Sequence, residues 1–139
     1  MDEKVKQVLV FRRHYPDGDE GKVKTIRTGK IVAQACHASI CWITSKMRGE
    51  GKGGKRTINL TEEEQQWIDT GFAKITVYVN TEEELLKVME DAKAAGLTTH
   101  LITDAGTTEF GGTPTKTFLG IGPHKASKFD KVTSHLPLL

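Results

Sequence analysis

The run Val8-Leu9-Val10-Phe11 places four apolar residues in succession, without the polar alternation of a strand that faces water on one side. A strand of that kind has to be covered on both faces, so the chain needs helical layers above and below a sheet. The following segments supply them. From Gly29 onward, Ile31, Ala35, Ala38 and Trp42 form an apolar stripe at helical spacing, which predicts a helix ending near Met47. Thr61 and Glu64 have the spacing of a capping box and open a short helix through Trp67, ended by Gly71. Lys74 to Val79 reads as a strand. Asn80 or Thr81 then caps a helix with Glu82, Glu83 and Glu84 in its first turn, where carboxylates meet the positive end of the helix dipole, and Gly96 terminates it. Thr98 to Thr103 is a further strand, Thr115 to Ile121 alternates well enough for another, and Ser127 to His135 fits a last helix. The expected architecture is α/β: a single domain over residues 1–139, folded as a three-layer α/β/α sandwich. Its sheet is small, about four strands, and mixed, because the last strand follows its predecessor with no helix between them for a parallel crossover.

Composition narrows the function. A net charge of +2 neither requires nor excludes a nucleic-acid partner, since a nearly neutral total can hide a basic face. Cys36 and Cys41, five apart in one expected helix, point to different sides and make a poor disulfide, which fits a reducing cytoplasm. Met1-Asp2-Glu3-Lys4 lacks the apolar region of a signal peptide, and no later stretch is long and apolar enough to span a bilayer. No membrane partner is expected.

Two segments carry candidate chemistry. Asp104 ends an apolar strand just before Ala105-Gly106, so its carboxylate emerges at the edge where alternating α/β proteins bind ligands. Lys30 stands in the first turn of a helix, against the dipole, a placement that suits a cation holding an anion. Gln34 and His37 follow on the same side, able to hydrogen-bond a substrate carbonyl or hydroxyl and to orient a group or move a proton. Each also has an ordinary explanation: a solvated lysine, a polar helix face, an aspartate preparing a turn. Thr108 offers a hydroxyl near Asp104 for a water or a substrate group. Gly49 to Arg56 nearly spells a phosphate-binding loop, but Arg56 stands where Ser or Thr is needed and a helix, not a strand, precedes it. It reads instead as a mobile basic loop. The histidines and cysteines never adopt a zinc-ligand spacing, so neither metal nor other cofactor is expected.

Lys6-Gln7-Val8-Leu9-Val10 with Arg12, then Thr28-Gly29-Lys30-Ile31-Val32-Ala33-Gln34-Ala35-Cys36-His37-Ala38, resembles the opening of the archaeal and eukaryotic-type, or class II, peptidyl-tRNA hydrolases. Asp104-Ala105-Gly106 with Thr108, Leu119-Gly120-Ile121-Gly122-Pro123, and Asp130-Lys131-Val132-Thr133-Ser134-His135-Leu136 are similar to that family's second half. The resemblance implies hydrolysis of the ester joining a peptide to tRNA, in the cytoplasm and without metal, on a three-layer fold often found as a dimer. It implies Lys30, Gln34, His37, Asp104 and Thr108 as site residues; of these we expect Lys30, Asp104, Thr108 and His37 to be catalytic, and Gln34, with Arg12, Gly106, Lys52, Lys55 and Arg56, to contact substrate. This chain departs from the family at His14, in a charged insertion around Pro16 to Lys24, and at Thr107, where arginine is usual. Two rivals stay open from the sequence: a non-catalytic RNA-binding or regulatory protein of the same fold, and a nucleotide binder using the glycine-rich loop.

A tRNA substrate calls for a basic apron, which Lys22, Lys24 and Arg27 before the site helix, and Lys52, Lys55 and Arg56 after it, can provide. Replacing Lys52, Lys55 and Arg56 together by alanine is expected to weaken tRNA binding and to flatten its salt dependence by about 0.7–0.9 in log–log slope per lost phosphate contact. Binding isotherms across a salt series measure this, and an unchanged slope would make the loop a solvated linker.

Overall fold

Strand β1, Val5–Arg12, is buried along nearly its whole length and occupies an inner position, as its unbroken apolar run requires. The computed structural model describes residues 3–49 and 53–139. After β1 come β2 (Tyr15–Pro16) and β3 (Val23–Lys24), then α1 (Thr28–Met47), α2 (Glu62–Asp69), β4 (Lys74–Val79), α3 (Glu82–Ala94), β5 (Thr99–Asp104) and β6 (Thr115–Lys125). The main sheet has the order β4-β1-β6-β5, with β1 parallel to β4 and β6 antiparallel to both its neighbours. It follows that β1, β4 and β5 all run the same way and end at one edge. The charged insertion forms the small hairpin β2–β3, with Tyr15 opposite Lys24.

Both faces of the sheet are covered, which makes the three layers. Val8 and Val10 of β1, Val77 and Val79 of β4, and Leu119 and Ile121 of β6 meet Leu85, Val88 and Ala92 of α3 on one face. Leu9, Phe11 and Phe118 meet Ala38 of α1 on the other, with Tyr15, Ile26 and Phe110 at its rim. Trp42 and Trp67 extend this second core, their rings edge to face at 5.8 Å. The capping box of α2 is formed: the Thr61 hydroxyl accepts from the Glu64 N–H at 3.1 Å, and the Glu64 carboxylate accepts from the Thr61 N–H at 2.9 Å. Thr81, rather than Asn80, caps α3.

Three expectations need correction. The strand expected over Thr115 to Ile121 extends to Lys125, and Thr117 to Pro123 are buried without alternation, because β6 lies between β1 and β5 with a helical layer on each face. Ser127 to His135 is not a helix. A four-residue 3-10 turn, Ala126–Phe129, leads into further turns, where Val132 and Thr133 both donate to the Phe129 carbonyl, and Phe129 and Val132 pack against the α3 layer. The buried line of α1 is Gln34, Ala38 and Trp42, whereas Ile31 and Ala35 are only partly covered. The helix is therefore rotated so that the row beginning at Lys30 and Gln34 faces the sheet.

Gly120 is what brings α1 so close. A Cβ at that position would run into the backbone carbonyl oxygen of Ala38, and neither backbone has a flexible end that can yield. Gly120→Ala is expected to destabilise the fold by about 1–3 kcal/mol through this overpacking. Chemical denaturation of the variant measures it, and an unchanged midpoint would contradict the close approach.

Candidate active site

Asp104 is the last residue of β5, and strand alternation from Ile102, which packs into the α1 core, turns its side chain toward α1. Its carboxylate gathers three donors. Lys30 Nζ lies 2.9 Å and Gln34 Nε2 3.2 Å from Oδ1, while the Gly106 N–H donates to Oδ2 at 2.8 Å. Gly106 reaches that position with φ +84°, and a Cβ there would collide with the Thr113 backbone, so the turn after Asp104 requires glycine. The same Lys30 ammonium donates to Thr108 Oγ1 at 3.0 Å. Two of its three N–H bonds are thus occupied, and one remains for a reacting group.

Gln34 is buried and used at both ends. Its Oε1 accepts from the Thr117 hydroxyl at 2.6 Å, which fixes the amide so that Nε2 points at Asp104. Thr117 can reach α1 because the pairing of β5 with β6 slips between Ile102–Phe118 and Thr103–Lys116, and a bulge of this kind re-aims a side chain. Thr117 is fully buried, and sequence reading missed it. Nothing in a Thr-Lys-Thr-Phe alternation announces a bulge.

The Lys30 and Asp104 side chains are 11% and 12% exposed, so their attraction acts in partly desolvated surroundings. Burial pushes the Asp104 carboxyl up, but the hydrogen bonds from Lys30 and Gly106 and the charges of Lys30 and His37 outweigh it and leave it below its ordinary value. The group is a carboxylate at neutral pH and a weak base. It suits holding a water by its hydrogen more than removing the proton outright.

The remaining expected residues divide. His37 stays exposed on α1, where its charged form would favour the Asp104 carboxylate. Gln34, expected to meet substrate, is committed to Asp104 and Thr117 instead. Arg12 is buried: Nε donates to the His14 carbonyl at 3.0 Å, Nη1 to the Lys116 carbonyl at 3.3 Å, and the guanidinium lies 4.6 Å from the Tyr15 ring centroid. Its donors serve the fold at the end of β1, which leaves little for a ligand. The Gly106 N–H is likewise taken by Asp104. Lys55 and Arg56 are exposed, while Lys52 lies outside the described residues. Of the other apron cations, Lys22 pairs with Asp19 at 3.3 Å, Lys24 donates to the Glu109 carbonyl at 3.0 Å, and Arg27 meets the Glu109 carboxylate at 2.6 Å. Cys36 and Cys41 are both free thiols.

A cavity of about 780 Å³ opens elsewhere, between α2 and the end of β6, lined among others by Glu3, Glu63, His124 and Lys128. Its polar groups satisfy one another. His124 meets Glu63 at 2.8 Å through Nδ1 and accepts the Thr98 N–H at 2.8 Å through Nε2, and Lys128 pairs with Glu63 at 2.7 Å. The imidazole has no idle nitrogen for acid–base work, so volume alone is a poor guide here and the Lys30–Asp104 cluster is the stronger candidate.

The low carboxyl value can be tested directly. A carboxyl-carbon NMR titration should place Asp104 below its ordinary 3.8. Lys30→Met should raise it, since removing the ammonium leaves the opposing effect of burial. The part of stability contributed by Asp104 should accordingly be present above the ordinary value and fade as pH falls through the lower folded one.

Comparison with known proteins matches nearly the whole chain. The family described as Peptidyl-tRNA hydrolase PTH2 matches residues 5–139. The chain is 38% identical over 137 residues to "Peptidyl-tRNA hydrolase" of Methanothermobacter thermautotrophicus, covering 97% of this chain and 100% of the relative. To "Peptidyl-tRNA hydrolase" of Methanopyrus kandleri it is 37% identical, covering 96% and 97%. It is 36% identical to "Probable peptidyl-tRNA hydrolase 2" of Dictyostelium discoideum, covering 96% of this chain and 54% of that longer protein.

Proposed function

We propose a division of labour within the Lys30–Asp104 cluster that proceeds from one premise: the chain belongs to the peptidyl-tRNA hydrolase PTH2 family. It is a hydrolase of the ester that joins a peptide to tRNA. In that reaction the oxygen of water bonds to the ester carbonyl carbon, the bond to the ribose oxygen breaks, and a proton from the water ends on that oxygen. The protein has to orient a water, stabilise negative charge on the carbonyl oxygen, and hold an RNA end.

The observation that carries the reading is the shared ammonium: Lys30 bonds Asp104 at 2.9 Å and Thr108 at 3.0 Å. It brings two oxygens to one nitrogen and keeps one N–H unspent. Asp104 and Thr108 then hold the attacking water between them, and the third Lys30 N–H meets the developing oxyanion. Gln34 and Thr117 keep the carboxylate in place. His37, at the mouth of the site, orients the substrate or a proton. Lys55 and Arg56 engage phosphates, with Lys52 of the same loop. The donor set needs no metal, because an ammonium already occupies the position beside the carboxylate where a cation would sit. We place the reaction in the cytoplasm. A homodimer would let Val32 and Ile40, more than half exposed on α1, bury an apolar face. No helix among the described residues is long and apolar enough to cross a membrane.

Lys30→Ala and Asp104→Asn should each slow single-turnover release of peptide from peptidyl-tRNA by on the order of 10²-fold or more, the usual scale for an oriented base or an oxyanion donor. Both should remain folded in a thermal melt, since Asp104 keeps its bonds from Gly106 and Gln34 when Lys30 is lost. Asp104→Asn should leave tRNA affinity nearly intact and depress the rate alone. Two folded variants with near-normal rates would sink the assignment.

A further inference from the structure

Thr108 lies in residues 105–114, the connection between β5 and β6, which has no regular secondary structure. That connection has turns of its own, with the Gly112 N–H on the Gly106 carbonyl at 2.8 Å and the Thr113 N–H on the Phe110 carbonyl at 3.0 Å, and the residues next to Thr108 are also held from outside. The Glu109 carboxylate meets Arg27 Nε at 2.6 Å, and the Glu109 carbonyl accepts from Lys24 Nζ at 3.0 Å. Phe110 is buried against Tyr15, their ring centroids 4.9 Å apart. All three contacts come from residues 15–27, the hairpin β2–β3 and its exit into α1. Lys24 at the end of the segment that reads as an insertion, with Tyr15 and Arg27 flanking it, therefore grips the two residues that follow Thr108.

The grip has a simple geometry. Arg27 and Lys30 stand one helical turn apart at the start of α1, and they hold adjacent residues of the loop, Glu109 and Thr108. The Arg27 side chain is 68% exposed, and an ion pair so open to water adds little to folding. What it can supply is position. Thr108 is itself exposed and has to keep its hydroxyl within hydrogen-bond reach of a lysine, and restraining the next residue limits where that hydroxyl goes.

We propose that Glu109, held by Arg27 and Lys24, is a positioning residue for hydrolysis: it fixes the Thr108 hydroxyl beside Lys30 and so sets where the attacking water lies. The proposal rests on the role given to Thr108 above. Acting through Thr108, Glu109 should on removal change the rate of the chemical step and leave affinity for tRNA alone.

The experiment is a double-mutant cycle read by single-turnover release of peptide from peptidyl-tRNA, with Glu109→Ala, Thr108→Val and their combination. Glu109→Gln serves as a second variant that keeps the side-chain volume. Glu109→Ala should slow the step by about tenfold, short of the ~10²-fold of a group displaced by about 1 Å, and Glu109→Gln, which loses the charge but keeps an oxygen toward Arg27, should slow it by less, while the half-saturating tRNA concentration stays within about twofold of wild type. In the Thr108→Val background, Glu109→Ala should cost nothing more. A purely structural brace would instead lower the melting temperature and slow both backgrounds by the same factor, which would overturn the proposal, as would wild-type rates for both Glu109 variants. If Thr108→Val alone keeps the wild-type rate, the role of Thr108 fails and Glu109 with it. If Thr108→Val is slow and the Glu109 variants are not, only the positioning role fails.

Discussion

The approach of α1 to β6 at Ala38 and Gly120 is the constraint on which the rest depends. Backbone sits almost against backbone there, a contact that any Cβ on Gly120 would push apart. One turn before Ala38 lies Gln34, and one turn before that Lys30. Fixing the helix at Ala38 therefore fixes the depth at which the Gln34 amide and the Lys30 ammonium meet the end of β5. A second polar tie secures the same helix, since Gln7 of β1 donates to the Ser39 carbonyl at 2.7 Å and accepts from the Ser39 hydroxyl at 2.8 Å. Gln7 is fully buried and Ser39 half-buried, so both bonds are partly shielded from water.

From that depth follows the electrostatic character of the site. A partly buried ion pair contributes little net stability, because desolvation offsets the attraction. Its value lies in chemistry. The ammonium keeps Asp104 ionised, Gly106 and Gln34 occupy the lone pairs that would otherwise go unmet, and the hydroxyl of Thr108 joins through the same nitrogen. A carboxylate restrained by so many donors has little freedom to move or to take up a proton. It directs a water's hydrogen, and the cation beside it faces the charge that forms on the carbonyl oxygen.

The elements around this cluster differ in how they are held. α1 and the sheet are tied by burial and by short backbone approach, but the connection carrying Thr108 combines its own turn hydrogen bonds with side chains from the hairpin and its exit into α1. The charges there look like an RNA-binding apron in the sequence, yet Lys24 and Arg27 both meet Glu109 and Lys22 pairs within its own turn. The same residue types thus serve local geometry as well as, or in place of, a polyanionic partner.

Local rules were enough for much of this. The apolar run in β1 demanded cover on both faces, Thr61 with Glu64 and Thr81 with its glutamates started two helices, and Asp104 before Ala105-Gly106 announced a ligand edge, because each depends on neighbours within a few residues. Lys30, Asp104 and Thr108 could be named as a set from the residue order that the family shares. Their convergence on one nitrogen could not, since it depends on how far α1 rolls over the sheet. Thr117 was invisible because a bulge is set by strand pairing and not by the residues that form it. The tail after β6 carries a helix-like pattern but bends into turns, its apolar residues drawn onto the α3 layer. Gln34 and Arg12 show the same limit from the other side: sequence marked both as polar groups fit for a ligand, and only the packed structure, by burying them, committed their hydrogen bonds to the protein itself.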